Sequence, residues 1–403
     1  MNLVSCAVAR LLSHRAGSLA SSAHGLTIEN LRPVHLGVAA MASTPPTHAR
    51  LYSSPASLPK EKASGAAKKA VPEPRPSSSI VLLSPTNEVL LLHRVKTSTS
   101  FASAHVFPGG NLDAFHDGDI PAPDAQDRHL DGPAYRLGAI RECFEETGIL
   151  LARKDGRFVE LPRQERDEAR EKIHESQIAF ADWLKSIGAE ADLDGLVPFT
   201  RWLTPVGVPK RFTTQMYLYL MPISRAGVPS EMLAPTPDGG VEHTEASFAP
   251  PQEFLSRAAS DEMMLFPPQY YILSLLSRFL RGPTASVEEG PVYYTRQRRE
   301  LLRFLKATPT ADTDEGKEHA TAKIAWADKV VSPHHLFVRK SDKRVVLGLE
   351  KPGFELRGSD RGGDWERVVL VNFGKAGPRQ VEVRLREDVL KEERESASEG
   401  PRL

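Results

Sequence analysis

Cysteine is nearly missing from this chain: there are two, Cys6 and Cys143, in 403 residues. So few exclude a disulfide framework and leave no cysteine set for a zinc site. Long apolar runs are missing as well. The longest, such as Ile80–Leu83 and Val89–Leu92, fall far short of the ~20 residues that a membrane-spanning helix requires, so no membrane span is expected. Neither sign of charge dominates: 52 Lys and Arg offset 52 Asp and Glu, which argues against nucleic acid as the main partner. Any metal must therefore be held by oxygen or imidazole, which points to Mg2+ or Mn2+. The chain does have 40% hydrophobic residues, enough for a sizeable core, and the length for one large domain with additions or for two.

The first sixty residues carry Arg10, Arg15, Arg32, Arg50 and Lys60 against the single acid Glu29, in a Ser-, Ala- and Leu-rich setting. That is the composition of a mitochondrial transit peptide, and Arg50-Leu51-Tyr52-Ser53 resembles a matrix-processing site. The expectation is a transit peptide over 1–52 and a Pro/Ala/Lys/Ser-rich linker over 53–77. The last three residues, Pro401-Arg402-Leu403, distantly resemble a peroxisomal address but begin with proline. Mitochondrion therefore ranks above peroxisome. Strands are expected at 79–83, 88–94, 199–203 and 215–222, and helices at 135–147, 165–185, 250–258 and 268–281. A linker over 286–330 would then lead into a β-rich extension over 331–390, with strands at 335–339, 344–349, 367–372 and 380–385.

The chemistry gathers in Arg141-Glu142-Cys143-Phe144-Glu145-Glu146-Thr147-Gly148-Ile149. On a helix, Leu137, Ile140 and Phe144 share one face and would bury against a sheet. Glu142, Glu145 and Glu146 stand at i, i+3 and i+4, so they cluster on roughly the opposite face. Three like charges this close repel one another, a cost that makes sense if a divalent cation neutralises them; otherwise the face is simply solvated. Upstream lies Phe107-Pro108-Gly109-Gly110, where paired glycines let backbone approach a phosphate closely.

These two stretches together resemble the box of the Nudix hydrolase family, Gly-x5-Glu-x7-Arg-Glu-U-x-Glu-Glu-x-Gly-U, where U is a bulky apolar residue. Gly110 matches the opening glycine, and Arg141, Glu142, Glu145, Glu146, Gly148 and Ile149 match the second half. The pattern separates glycine from arginine by 14 positions, whereas Gly110 and Arg141 lie 31 apart, so 17 extra residues interrupt the box. His116 stands where the first glutamate belongs. The partner of Arg141 is thus left among Asp113, Asp117 and Asp131.

An interrupted box is similar to that of the acyl-coenzyme A diphosphatase branch of this family. The likeness extends through Leu90–Arg94, Ser103–Gly110, Arg201–Pro205, Arg211–Thr214 and Phe266–Gln269, and covers about 79–281. The resemblance implies a domain over 78–285 with an α/β/α sandwich and a mixed sheet. It implies that Glu142, Glu145 and Glu146 hold Mg2+ or Mn2+, and that Arg141 orients a carboxylate. It also implies cleavage of coenzyme A or acyl-CoA, a small-molecule nucleotide, to 3′,5′-ADP and a 4′-phosphopantetheine. Glu142 or Glu145, or a carboxylate downstream, would accept a proton; Glu242 and Glu245 are candidates for a supplementary ligand. Gly109 and Gly110 would cradle phosphate, and among Arg94, Arg201, Lys210 and Arg211 the best placed to grip it are Arg94 and Arg211, a guanidinium suiting phosphate bidentately. His105 reads as a satisfied strand histidine. Alternatives are an ADP-ribose or dinucleotide pyrophosphatase, and a non-catalytic Nudix-fold component of a mitochondrial assembly.

Overall fold

The computed structural model describes residues 71–95, 103–223, 235–236, 243–286 and 289–398. The expected transit peptide and all but the last few residues of the first expected linker lie outside the described residues. Strand β1, Arg75–Leu83, shows why a layered fold forms: Ile80 and Leu82 point to one side, Val81 and Leu83 to the other, and all four are fully buried. Side chains alternate across a strand, so a strand apolar on both faces must be covered on both. Ile80 and Leu82 join one apolar cluster and Val81 and Leu83 another. This is the middle layer of an α/β/α sandwich.

Strand β1 pairs antiparallel with β2 (Val89–Arg94) and β4 (Gly109–Asn111), and parallel with β9 (Phe212–Leu220). Short β3 (His105–Val106) and then β10 (His243–Ala249) flank β2, while β8 (Leu196–Leu203) and β11 (Val330–Val331) extend the far side. The eight-stranded sheet is mixed, as the resemblance implies. One face carries helix α2, Pro133–Thr147, through Tyr135, Ala139, Ile140 and Phe144. Full burial of a side chain the size of Ile140 or Phe144 contributes about 1.5–3 kcal/mol. The other face carries α5 (Pro251–Ala259), α6 (Pro267–Leu276) and α7 (Gly290–Lys306).

Two expectations need correction. The stretch 165–185 is not one helix but two, α3 (Arg163–His174) and α4 (Phe180–Ser186), because Ser176 adopts a left-handed φ of 54° that no helix continues through. The small antiparallel sheet of β5 (Ala152–Lys154), β6 (Arg157–Phe158) and β7 (Glu190–Ala191) lies beside them in sequence. Residues 286–330 are not a linker. They hold α7, whose Leu301 and Leu305 are buried, short α8 (Asp314–Glu318), and Trp326, fully buried in the same core.

The β-rich extension is present as a four-stranded sheet, β12 (His334–Val338), β13 (Val345–Leu349), β14 (Asp364–Gly374) and β15 (Gly377–Leu385), followed by α9 (Arg386–Ser398). It is no separate appendage. Leu347, Leu349, Val369 and Val371 share one apolar cluster with Tyr271, Trp326 and the central sheet. Among the described residues no helix is long and apolar enough to cross a membrane.

Candidate active site

Helix α2 starts with Pro133 in its first turn, where the missing N–H costs nothing, and stops at Gly148, whose φ of 71° only glycine adopts readily. Between them the acidic face is not solvated. Glu142, Glu145 and Glu146 side chains are 15%, 11% and 6% exposed. Two of them meet the glycine pair: the Gly109 N–H donates to Glu146 Oε2 at 2.8 Å. A Cβ on Gly110 would stand 2.5 Å from the Glu142 carboxylate, and one on Gly109 2.4 Å from Ser78 O. Both glycines are required by close approach, and the box's two halves meet although 31 residues separate Gly110 from Arg141.

Arg141 locks this arrangement. Its Nε and Nη2 donate to Asp117 Oδ1 and Oδ2, each at 2.9 Å. Its Nη1 donates to Glu142 Oε1 at 2.9 Å and Glu145 Oε1 at 2.8 Å, and Nη2 also reaches Asn111 O at 3.0 Å. All five donors of the guanidinium are satisfied. Asp117 is therefore the partner left open among three aspartates; Asp113 caps the short helix α1 (Ala114–Asp117), and Asp131 binds Arg136 and Tyr217. The insertion delivers this carboxylate one position later than the uninterrupted pattern does. His116 instead ties the insertion to α4, accepting from the Phe180 N–H at 3.2 Å. Gly138 leaves room for the acid: a Cβ there would be 3.0 Å from Asp117 Oδ2.

Sequence reasoning missed two histidines and one arginine. His174 Nδ1 lies 3.5 Å from Glu145 Oε2, and fully buried His243 places Nε2 3.5 Å from Glu146 Oε1. Arg170 donates twice to the Glu145 carbonyl, at 3.0 and 2.7 Å, holding the end of α2. A lone histidine beside two glutamates carries little signal, and attention to acids in that segment favoured Glu242 and Glu245. Glu242 lies outside the described residues; Glu245 is exposed on β10, in register with His93.

The basic candidates divide. Arg211 is not available for phosphate. Its guanidinium forks onto Glu355 at 2.5 and 2.9 Å and also donates to Pro72 O and Thr204 O, binding the C-terminal segment to the sheet. Arg201 is likewise committed, to Thr213 Oγ1, Leu130 O and the Tyr135 ring. A buried guanidinium must find such partners, and sequence does not reveal whether they are internal. Lys210 is exposed, and Arg94 ends β2 in register with His243, at the edge of the site. His105 stacks on His93 at 4.6 Å, and burial, with His93 and Arg257 nearby, lowers its pKa to about 4.

Three carboxylates, of Asp117, Glu142 and Glu145, thus surround one guanidinium, with Glu146 held on the glycine loop. Burial pushes the Glu142 carboxyl up to about 7 against the pull of Arg141, with Glu145 and Asp117 adding to the rise. Among the described residues no three such groups stand together as a ready-made cage. Hard oxygens on one helix face are the kind of donor a divalent cation takes while it keeps several waters and shares positions with substrate phosphates.

A raised carboxyl pKa means that the folded state holds a proton the unfolded chain has lost. Stability from this group is present below the unfolded value of 4.5 and is lost as pH rises through about 7. The metal-free protein should accordingly lose stability over that window, and Glu142→Gln should remove that component; melting curves of the two against pH check it. Gly110→Ala should fold, since the Glu142 side chain can yield, but displacing that carboxylate by about 1 Å should cut kcat/KM on the order of 100-fold.

Residues 122–276 match the family model described as the NUDT19 Nudix domain. Among curated relatives, the acyl-coenzyme A diphosphatase NUDT19 of Gallus gallus is 31% identical, over 48% of this chain and 61% of that one. The Xenopus laevis protein of the same name is 27% identical, over 48% and 60%. The chain thus spans about three fifths of the length of the curated relatives it matches. A crystal structure of a Nudix hydrolase from Alicyclobacillus acidocaldarius is 26% identical, over 51% of this chain and 91% of that one, with a TM-score of 0.42. With the two halves of the box brought face to face and the domain model matching across α2, residues 122–276 are similar to a Nudix hydrolase domain.

Proposed function

We propose that this protein is a divalent-metal-dependent diphosphatase that cleaves coenzyme A or acyl-CoA to 3′,5′-ADP and a free or acylated 4′-phosphopantetheine. The observation that supports hydrolysis most strongly is the Gly109 N–H bond to Glu146 at 2.8 Å, because it holds the acidic face against the glycine loop rather than in water. Glu142, Glu145 and Glu146 would hold the Mg2+ or Mn2+, which supplies charge neutralisation at phosphorus and a more acidic bound water. Arg141, fixed by Asp117, keeps Glu142 and Glu145 aligned and spends none of its donors on substrate. The bare backbone at Gly109 and Gly110 lets β1 and the Glu142 carboxylate close on the loop. A carboxylate of this cluster takes the proton from the attacking water. Arg94, at the rim, is the cation we assign to the substrate's phosphates.

The coenzyme A preference follows the relatives' names and the interrupted box. Mass spectrometry of products from coenzyme A, ADP-ribose and NADH, with and without Mg2+ or Mn2+, tests it. Metal-dependent release of phosphopantetheine from coenzyme A at the highest kcat/KM is the expected result. Faster cleavage of ADP-ribose or NADH would move the substrate class, and no cleavage of any would end the enzymatic reading.

A further inference from the structure

A groove of about 630 Å³ lies along α7 beside the end of β9, and a site of this size is ordinary for a small-molecule ligand. Its walls mix two chemistries. Leu220 and Leu302 supply an apolar strip, and Arg298, Arg299, Arg303 and Lys306 supply positive charge; among the described residues no Asp or Glu lines it. Arg299, Arg303 and Lys306 are exposed, and at spacings of four and three they share one helix face. Arg298 is the informative member. It is 8% exposed, yet its guanidinium donates only to neutral acceptors: Asn87 Oδ1 at 2.6 Å, Met221 O at 2.6 Å and Ser84 O at 2.8 Å. Its charge has no carboxylate partner among the described residues, and a buried guanidinium left so is costly unless an anion comes near.

The groove is remote from the acidic cluster. It opens where β1 and β9 end, at Leu83 and Leu220, whereas Gly109 and Gly110 pair with Ser79 and Ser78. Among the described residues no aromatic ring lines it to stack on a nucleobase. We propose that this groove binds a long-chain alkyl anion, such as a fatty carboxylate, its chain along Leu220 and Leu302 and its head among the four cations. The site is separate from the diphosphatase centre and does not depend on it.

Calorimetric titration of the full chain with palmitate and dodecyl phosphate below their micellar concentrations tests the proposal, with dodecanol and inorganic phosphate as controls. Both amphiphiles should bind saturably at one site, and each control at least tenfold more weakly. The triple charge reversal Arg299→Glu, Arg303→Glu, Lys306→Glu alters only exposed side chains and should weaken amphiphile binding at least tenfold at an unchanged melting temperature. Dodecanol binding as tightly as palmitate, or amphiphile binding indifferent to the reversal, would overturn the proposal. So would binding confined to anionic vesicles, or a dimer that the reversal dissociates, since the occupant would then be a bilayer or a second copy.

Discussion

Asp117→Ala should lower stability by about 3–5 kcal/mol, the usual consequence of removing one partner from a buried ion pair. The Asp117 side chain is 0% exposed and that of Arg141 5%, so the two guanidinium donors released from Asp117 have no water to turn to, while Glu142, Glu145 and Asn111 keep theirs. Two bonds to Arg141 and one from the Asp113 N–H vanish together. Against a typical total of about 5–15 kcal/mol this is a large fraction, and a melting temperature roughly 10 °C lower is expected. Activity should fall further than stability, because Arg141 then loses the anchor that aligns Glu142 and Glu145. Asp117→Asn separates the two effects. It keeps shape and one acceptor, so it should melt closer to wild type yet remain impaired in kcat. Scanning calorimetry beside steady-state kinetics checks both, and a fully active Asp117→Ala would show that the insertion does not brace the site.

Glu146→Gln should lower kcat on the order of 1,000-fold while leaving the fold intact. The amide oxygen can still accept from the Gly109 N–H, so the loop stays docked. What disappears is a negative charge where three glutamates were poised to neutralise a cation. Metal-mediated charge stabilisation is typically several kcal/mol, and each 1.36 kcal/mol is tenfold in rate. The KM for Mg2+ should rise in the same variant. A value unchanged in both parameters would mean that Glu146 serves only as a cap on the glycine loop.

Much of this was legible in the residues, and the exceptions have physical causes. Helix α2 announces itself through Pro133, Gly148 and the buried spacing of Ile140 and Phe144. The strands of the C-terminal sheet are marked by valine-rich runs such as Val345–Leu349, where β-branched side chains suit a pleated surface. Helix α7 was hidden because its buried Tyr294, Leu301 and Leu305 are interleaved with five basic residues, and because Arg298 is buried by bonding to Asn87 and two backbone carbonyls. No periodicity reports a carbonyl waiting 77 residues away. The same limit applies to Arg211: sequence places a cation in a run resembling a known family, and only the fold discloses Glu355, 144 residues later, as its partner. The glutamates and the glycine pair were readable because local spacing fixes their geometry. Asp117 could be narrowed only to one of three aspartates, and His243 was not singled out, since an insertion and a distant strand deliver them.

The proposed hydrolysis rests on the three glutamates acting with a divalent cation at the glycine loop. Its most direct test is the rate of coenzyme A hydrolysis against Mg2+ concentration in wild type and in Glu142→Gln, Glu145→Gln and Glu146→Gln, each checked for an unchanged fold. The expected result is a rate that climbs and saturates with Mg2+ in wild type, collapses under a chelator, and stays near background in all three variants. A wild-type rate indifferent to chelation, or folded variants turning over as fast as wild type, would contradict it.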